Sequence, residues 1–197
     1  MRSLAFRPLR RDPSSAPPSS QRGGSSLIEL LVAVSVLMVG LLTLSRSITA
    51  SVDLADKNRE SALATAAAQG MVEQLYAAEF SQVFALYNGD SFDDPDGQGT
   101  APGASFAVSG LTLQSGDADG MHGEILFPAD PDLPDVLRED VVLANQGVPI
   151  DLDLDGFVDT ADHADDYRVL PVLIRVEWQD SAGRTRELEL ATILGAR

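Results

Sequence analysis

The stretch Gly24-Ser25-Ser26-Leu27-Ile28-Glu29-Leu30 opens a run, LIELLVAVSVLMVGLLTL from Leu27 to Leu44, in which Glu29 is the one charged side chain. As a helix rising about 1.5 Å per residue, this run nearly covers the ~30 Å hydrocarbon core of a bilayer. Gly40 weakens helix propensity locally, an effect that lipid or tertiary context offsets. A carboxylate is costly inside a membrane, but near the start of a helix the headgroups and the positive end of the helix dipole lower that cost.

Working outward, residues 1–24 are rich in Arg, Pro, Ser and Gly, with Pro13, Pro17 and Pro18 interrupting any helix and Gly23-Gly24 closing the segment. Five arginines (Arg2, Arg7, Arg10, Arg11 and Arg22) against Asp12 give this head a charge of +4, while the rest, nine basic against 29 acidic residues, stands at -20. A basic head beside an apolar segment stays on the cytoplasmic side. The acidic remainder repels nucleic acid phosphates and attracts cations.

Downstream of Leu44 the pattern turns amphipathic. Ile48, Val52, Ala55, Leu63, Ala67, Met71, Leu75 and Ala78 recur at helical spacing, with Asp53, Asp56, Lys57, Asn58, Glu60 and Glu73 on the other sides. No proline stands between Pro18 and Pro95. The reading is one helix over residues 25–88, roughly 90 Å long, with 25–46 in the membrane or a filament core and Asn88-Gly89 as a left-handed stop.

Residues 89–197 read as a globular antiparallel β domain. A Gly-, Asp- and Pro-rich loop over 88–104 precedes strand-like runs at 106–113, 123–127, 141–144, 170–178 and 186–194. The last two alternate most clearly and are joined by the turn QDSAG as a hairpin. The predicted fold class is α+β, a long N-terminal helix packed on a small antiparallel sheet. Aromatic residues make up only 6% of the chain, so Trp178, Tyr76, Tyr87 and Phe106 are the expected large anchors. Cysteine is absent, which excludes disulfides, thiol nucleophiles and cysteine metal sites.

Residues 151–162 read DLDLDGFVDTAD, which matches the calcium-loop pattern D-x-D-x-D-G. Asp151, Asp153 and Asp155 converge on one cation in this reading, Gly156 allows the sharp turn and Phe157 gives its carbonyl. Val158 packs inward, Asp159 binds directly or through water, and Asp162 replaces the usual closing glutamate. Hard oxygen donors favour calcium, which acts here as a structural clip. Two echoes, Asp94-Asp96-Gly97 and Asp117-Asp119-Gly120, lack the first aspartate and read as acidic turns.

The N-terminal segment resembles the prepilin signature of type IV pilins and type II secretion pseudopilins, and the match over about residues 23–80 is most similar to PilV-type minor pilins (type IV pilus modification proteins). The resemblance implies cleavage after Gly24 by a prepilin peptidase, a new N-terminus at Ser25, and Glu29 at the fifth mature position. Ser25 stands where family members usually carry Phe or Met. By the same resemblance Glu29 neutralises the terminal amine of a neighbouring subunit, which sets register in assembly. The implied protein is a structural subunit with no enzymatic activity. It is a single-pass inner-membrane protein with a periplasmic domain, and then part of a pilus or pseudopilus at the cell surface. Its partners are other pilin subunits, the peptidase and the membrane, with no nucleic acid.

The competing readings are a type II secretion pseudopilin, a secretory signal peptide, and a binding domain on an ordinary anchor. The signal peptide fits poorly, because the apolar run is long and lacks a small-x-small cleavage site around residues 47–50. Catalysis has no foothold in the sequence. His122 and His163 read as surface or loop residues, Arg184 and Arg186 as strand-surface charges, and no triad spacing or phosphate-binding glycine loop occurs.

Overall fold

A computed structural model describes residues 26–130, 132–143 and 148–196. It is α+β, with one long apolar N-terminal helix and a small antiparallel sheet. The chain divides into two compact units, Met1–Ser47 and Ile48–Arg197. Helix α1, Leu27–Ala77, supplies residues to both.

Within the first unit the described residues are exposed throughout. This part of α1 is long and apolar enough to cross a membrane, and none of its apolar window is buried. Ser26 starts the helix: its carbonyl accepts from the Glu29 and Leu30 amides at 2.9 and 3.1 Å, and its Oγ from Ile28 N at 3.4 Å. A serine followed three residues later by glutamate is the composition of a capping box.

The second unit is built on a four-stranded sheet in the order β1 (Ser105–Phe106), β2 (Gly123–Leu126), β5 (Val169–Gln179), β6 (Thr185–Gly195), every pair antiparallel. A separate hairpin pairs β3 (Ala129–Asp130) with β4 (Leu133–Leu137). The β5–β6 hairpin matches its sequence reading closely, since every residue of β5 from Val169 to Gln179 has a partner in β6. Val172, Ile174, Val176 and Trp178 face Ala64, Ala68 and Leu75 of α1 in one buried core. Small side chains on the helix let it lie close to the sheet, and the large ones come from β5.

Several expectations are corrected. The helix ends at Ala77, ten residues before Tyr87, because Glu79 is extended (φ -64, ψ 121) and a 3-10 turn, Phe80–Gln82, leads into a short helix α2, Val83–Tyr87. No Pro or Gly marks this break. It is driven by aromatic burial: Phe84 is buried and packs edge-on against Phe127 at 5.4 Å, and Phe80 meets Tyr167 at 5.0 Å. The Tyr167 hydroxyl donates to Phe80 O at 2.6 Å and accepts from Phe84 N at 3.4 Å, so one phenol serves groups that the break removes from the helical ladder.

Asn88 is extended (φ -77, ψ -179), so the left-handed stop is absent. Its buried side chain instead accepts from Asp90 N and donates to Asp93. The buried seam also begins later than the spacing implied, since Ile48, Val52 and Ala55 are exposed. Tyr76 is largely exposed as well.

Of the run 106–113, only Phe106 with Ser105 is strand, plus an isolated bridge from Thr112 to Gln179. Residues 141–143 are not strand, while β3 and β4 went unread because their Asp and Pro residues look like turns. Phe106 lies across Gly123, its β1–β2 partner, where an added Cβ would meet the ring at 2.1 Å.

Arg184 and Arg186 at the β5–β6 turn are exposed, as read, but they also have a buried partner. Both guanidiniums reach the buried Asp180 carboxylate, Arg184 at 2.9 Å and Arg186 at 3.3 Å. The Arg184 amide, the two guanidiniums and the Ala182 amide hold the Asp180 carboxyl well below the usual carboxylate range. A carboxyl depressed on folding stabilises the fold above its unfolded pKa of about 3.9 and loses that contribution as pH falls through the folded value. Below about pH 4, thermal melts of the wild type therefore shift down steadily, and Asp180→Asn flattens this acid slope while melting lower at neutral pH.

Candidate cation site

The loop 151–162 lies between the end of β4 and the start of β5, and the structure pins both of its ends. Leu152 is fully buried and its carbonyl accepts from Arg168 N and Val169 N at 2.7 and 3.1 Å. At the other end, Leu137 N donates to Asp162 Oδ1 at 3.1 Å and Leu137 O accepts from His163 N at 2.9 Å. A rigid edge thus positions a turn-rich acidic segment.

Inside the loop the aspartates fold the backbone around themselves. Asp151 accepts from Asp155 N and Gly156 N at 3.2 and 2.8 Å, Asp153 from Asp155 N at 2.9 Å, and Asp155 from Phe157 N at 2.7 Å. Gly156 takes φ 95, the left-handed region its place in the motif requires, and Leu154 also has positive φ, 63. Phe157 and Val158 are exposed, so the inward packing expected of Val158 does not occur.

The residues brought together differ from the set of six read from the motif. Asp151 and Asp153 stand near each other, and the third member of that group is Glu139, with one carboxylate oxygen of each within 4.8 Å of the others. Asp155 and Asp162 are in no such group, Asp162 Oδ1 accepting from Leu137 N and Ala164 N, and Asp159 belongs to a second group with Glu139 and His163. Glu139, 2% exposed, accepts from Leu152 N at 2.5 Å, Asp153 N at 3.4 Å and Asp159 N at 3.0 Å. It ties the loop to the body of the domain. In sequence it sits twelve positions before Asp151 among LREDVVL, where nothing distinguishes it from a solvated turn acid.

His163 is likewise no surface residue: it is 6% exposed. Nδ1 lies 3.1 Å from Asp166 Oδ1, and Nε2 lies 3.3 Å from Asp159 Oδ1 and 3.8 Å from Glu139 Oε2. Burial by itself lowers the imidazole pKa, but hydrogen bonds to Asp159 and Asp166 and the Glu139 charge outweigh it, and the net shift is upward. Asp153 is raised too: the Asp155 amide pulls it down, but desolvation and the charges of Asp155 and Glu139 prevail. Asp159 is lowered by the Ala161 amide and by His163.

The other histidine bridges two backbone groups. His122 Nδ1 accepts from Val108 N at 3.2 Å, which leaves Nε2 to donate to Leu111 O at 3.1 Å. The motif echoes form turns: Asp94 accepts from Thr100 N and Ala101 N, and Asp119 from Met121 N and the Ser105 hydroxyl. Of the residues expected to matter for assembly, Glu29 lies exposed in the first turn of α1, while Gly24 and Ser25 fall outside the described residues. No family model, curated protein or solved structure matches the chain.

Proposed function

We propose that this chain is the precursor of a pilin-like filament subunit, a minor pilin, cleaved after Gly24 and assembled through its apolar N-terminal helix. One observation carries the reading: a helix exposed on all sides over its apolar part, with a single carboxylate in its first turn and Gly24 five residues before that carboxylate. A plain anchor needs no carboxylate there. In a bundle of such helices Glu29 meets the terminal amine of another copy, and each Å² of apolar surface covered contributes roughly 25 cal/mol. The globular domain projects from the filament and has no catalytic role.

Intact-mass analysis of the protein recovered from its native membrane tests this. The mature chain begins at Ser25, and Glu29→Leu is processed normally yet enters filaments about tenfold less, the effect of ~1.4 kcal/mol. A chain that keeps residues 1–24, or one trimmed near residue 50, defeats the reading.

The domain's acidic loop is proposed to take calcium, with Asp151, Asp153 and Glu139 as its oxygen donors. Three hard carboxylates near one another suit that ion, which would neutralise their mutual repulsion and stiffen the loop. Calorimetry on the full chain in detergent gives calcium uptake that Asp153→Ala abolishes; equal uptake in the variant removes the assignment.

A further inference from the structure

We propose that His163, Glu139 and Asp159 form a site for a divalent transition ion of the zinc class, which shares Glu139 with the calcium-type donors Asp151 and Asp153 of the same loop. Both ring nitrogens of His163 face carboxylates, Nδ1 at Asp166 and Nε2 at Asp159 and Glu139. Carboxylates only accept, and a neutral imidazole has one N–H to give. When that proton goes to Asp166, the Nε2 lone pair stands against two anionic oxygens. That repulsion is relieved either by a second proton on Nε2 or by a cation between the three atoms.

Apart from a proton on His163 itself, the described residues supply none of that charge. Glu139 is buried, and among the described residues its ion-pair partner is His163 itself, with no Arg or Lys alongside. Three backbone amides solvate Glu139 but leave its charge unneutralised, so a mobile cation fits beside it.

Donor spacing then favours a small ion. An ion about 2.1 Å from each of three tetrahedral donors places those donors about 3.4 Å apart. Nε2 lies 3.3 Å from Asp159 Oδ1 and 3.8 Å from Glu139 Oε2, and all three atoms fall within 4.8 Å. The two distances from Nε2 already lie close to that spacing, and the Glu139–Asp159 separation, at most 4.8 Å, closes by up to about 1.4 Å on coordination.

The surroundings have the matching form. Metal-bound histidines commonly donate their second nitrogen to a carboxylate that fixes ring and tautomer, which is the place Asp166 holds. Asp159 is more than half exposed and opens the site to solvent, so an ion has an entry path and a fourth position for water. An imidazole nitrogen among the donors selects zinc-like ions over calcium or magnesium, which take oxygen.

The inference stands apart from the filament reading but shares Glu139 with the calcium proposal, so its test turns on residues that belong to one group alone. The full-length chain in detergent micelles, stripped by chelator, is titrated with zinc by calorimetry and with cobalt by visible absorption. One ion binds per chain, His163→Gln abolishes binding, and Asp166→Asn weakens it about 10-fold or more at unchanged stoichiometry. Asp151→Asn, which removes a calcium-type donor outside the zinc group, leaves zinc affinity at the wild-type value. Absence of zinc binding by the folded wild type overturns the proposal, as does wild-type affinity in His163→Gln. Should that variant fail to fold, the exposed substitutions Asp159→Asn and Asp166→Asn decide alone: wild-type affinity in both overturns it.

Discussion

Glu139→Ala lowers the stability of the globular domain by about 3–5 kcal/mol, the usual consequence of removing one member of a buried charged network. The loss has an identifiable origin. Leu152 N, Asp153 N and Asp159 N all donate to this carboxylate, and Leu152 is fully buried, so water cannot easily replace the acceptor. Each orphaned buried amide costs about 1–3 kcal/mol. Asp159 is exposed and rehydrates more readily, so its amide contributes less.

Glu139→Gln refines the test. It retains one oxygen for Leu152 N but turns an NH₂ toward Asp159 N, opposing two donors, and so falls between alanine and wild type. In the full chain the alanine variant melts about 10 °C lower, and hydrogen exchange accelerates first at residues 151–163. A variant within about 0.5 kcal/mol of wild type, the range of a typical surface change, would sink the view that this residue holds the loop.

Trp178→Ala is the second large loss, about 3–5 kcal/mol. Trp178 is the chain's one tryptophan, 3% exposed, in the same buried core as Ala64 and Ala68. Its indole N–H also donates to Glu60 Oε2 at 3.2 Å, which links β5 to α1. Trp178→Phe separates the two contributions. It keeps most of the apolar contact and loses the bond to Glu60, for about 1.5–3 kcal/mol.

Because domains are stable by only about 5–15 kcal/mol, the alanine variant leaves the sheet marginal. The membrane-type part of α1 keeps its helicity in detergent, so total helix content reports poorly on the damage. Amide exchange in β5 and β6 is the sensitive measurement. In the wild type, blue-shifted Trp178 emission reports directly on the helix–sheet contact, and an alanine variant with unchanged exchange in β5 would refute this role.

How much of this was legible beforehand depended on the range of the interactions involved. The β5–β6 hairpin could be read because alternation and the turn QDSAG lie within one stretch of chain. The loop at 151–162 could be read as a turn because Gly156 and spaced aspartates specify it locally. The ligand-type grouping could not: the loop's aspartates spend oxygens on their own amides, and the groups complete themselves with Glu139 and His163. Both looked like solvated residues, since nothing local signals a burial that is produced by elements distant in sequence.

The sequence by itself determined a long apolar helix with one acid near its start, a body of strongly negative charge and a long β hairpin at the end. Each follows from composition or short periodicity, which act residue by residue along the chain. Only the tertiary structure decided where α1 stops, because Phe80 and Phe84 gain more by entering the core around Tyr167 and Phe127 than by continuing a helix that has no local breaker. It also decided which carboxylates are buried. Asp180 and Glu139 are held inside by amides and cations that come together only when the strands pair and the loops close over them.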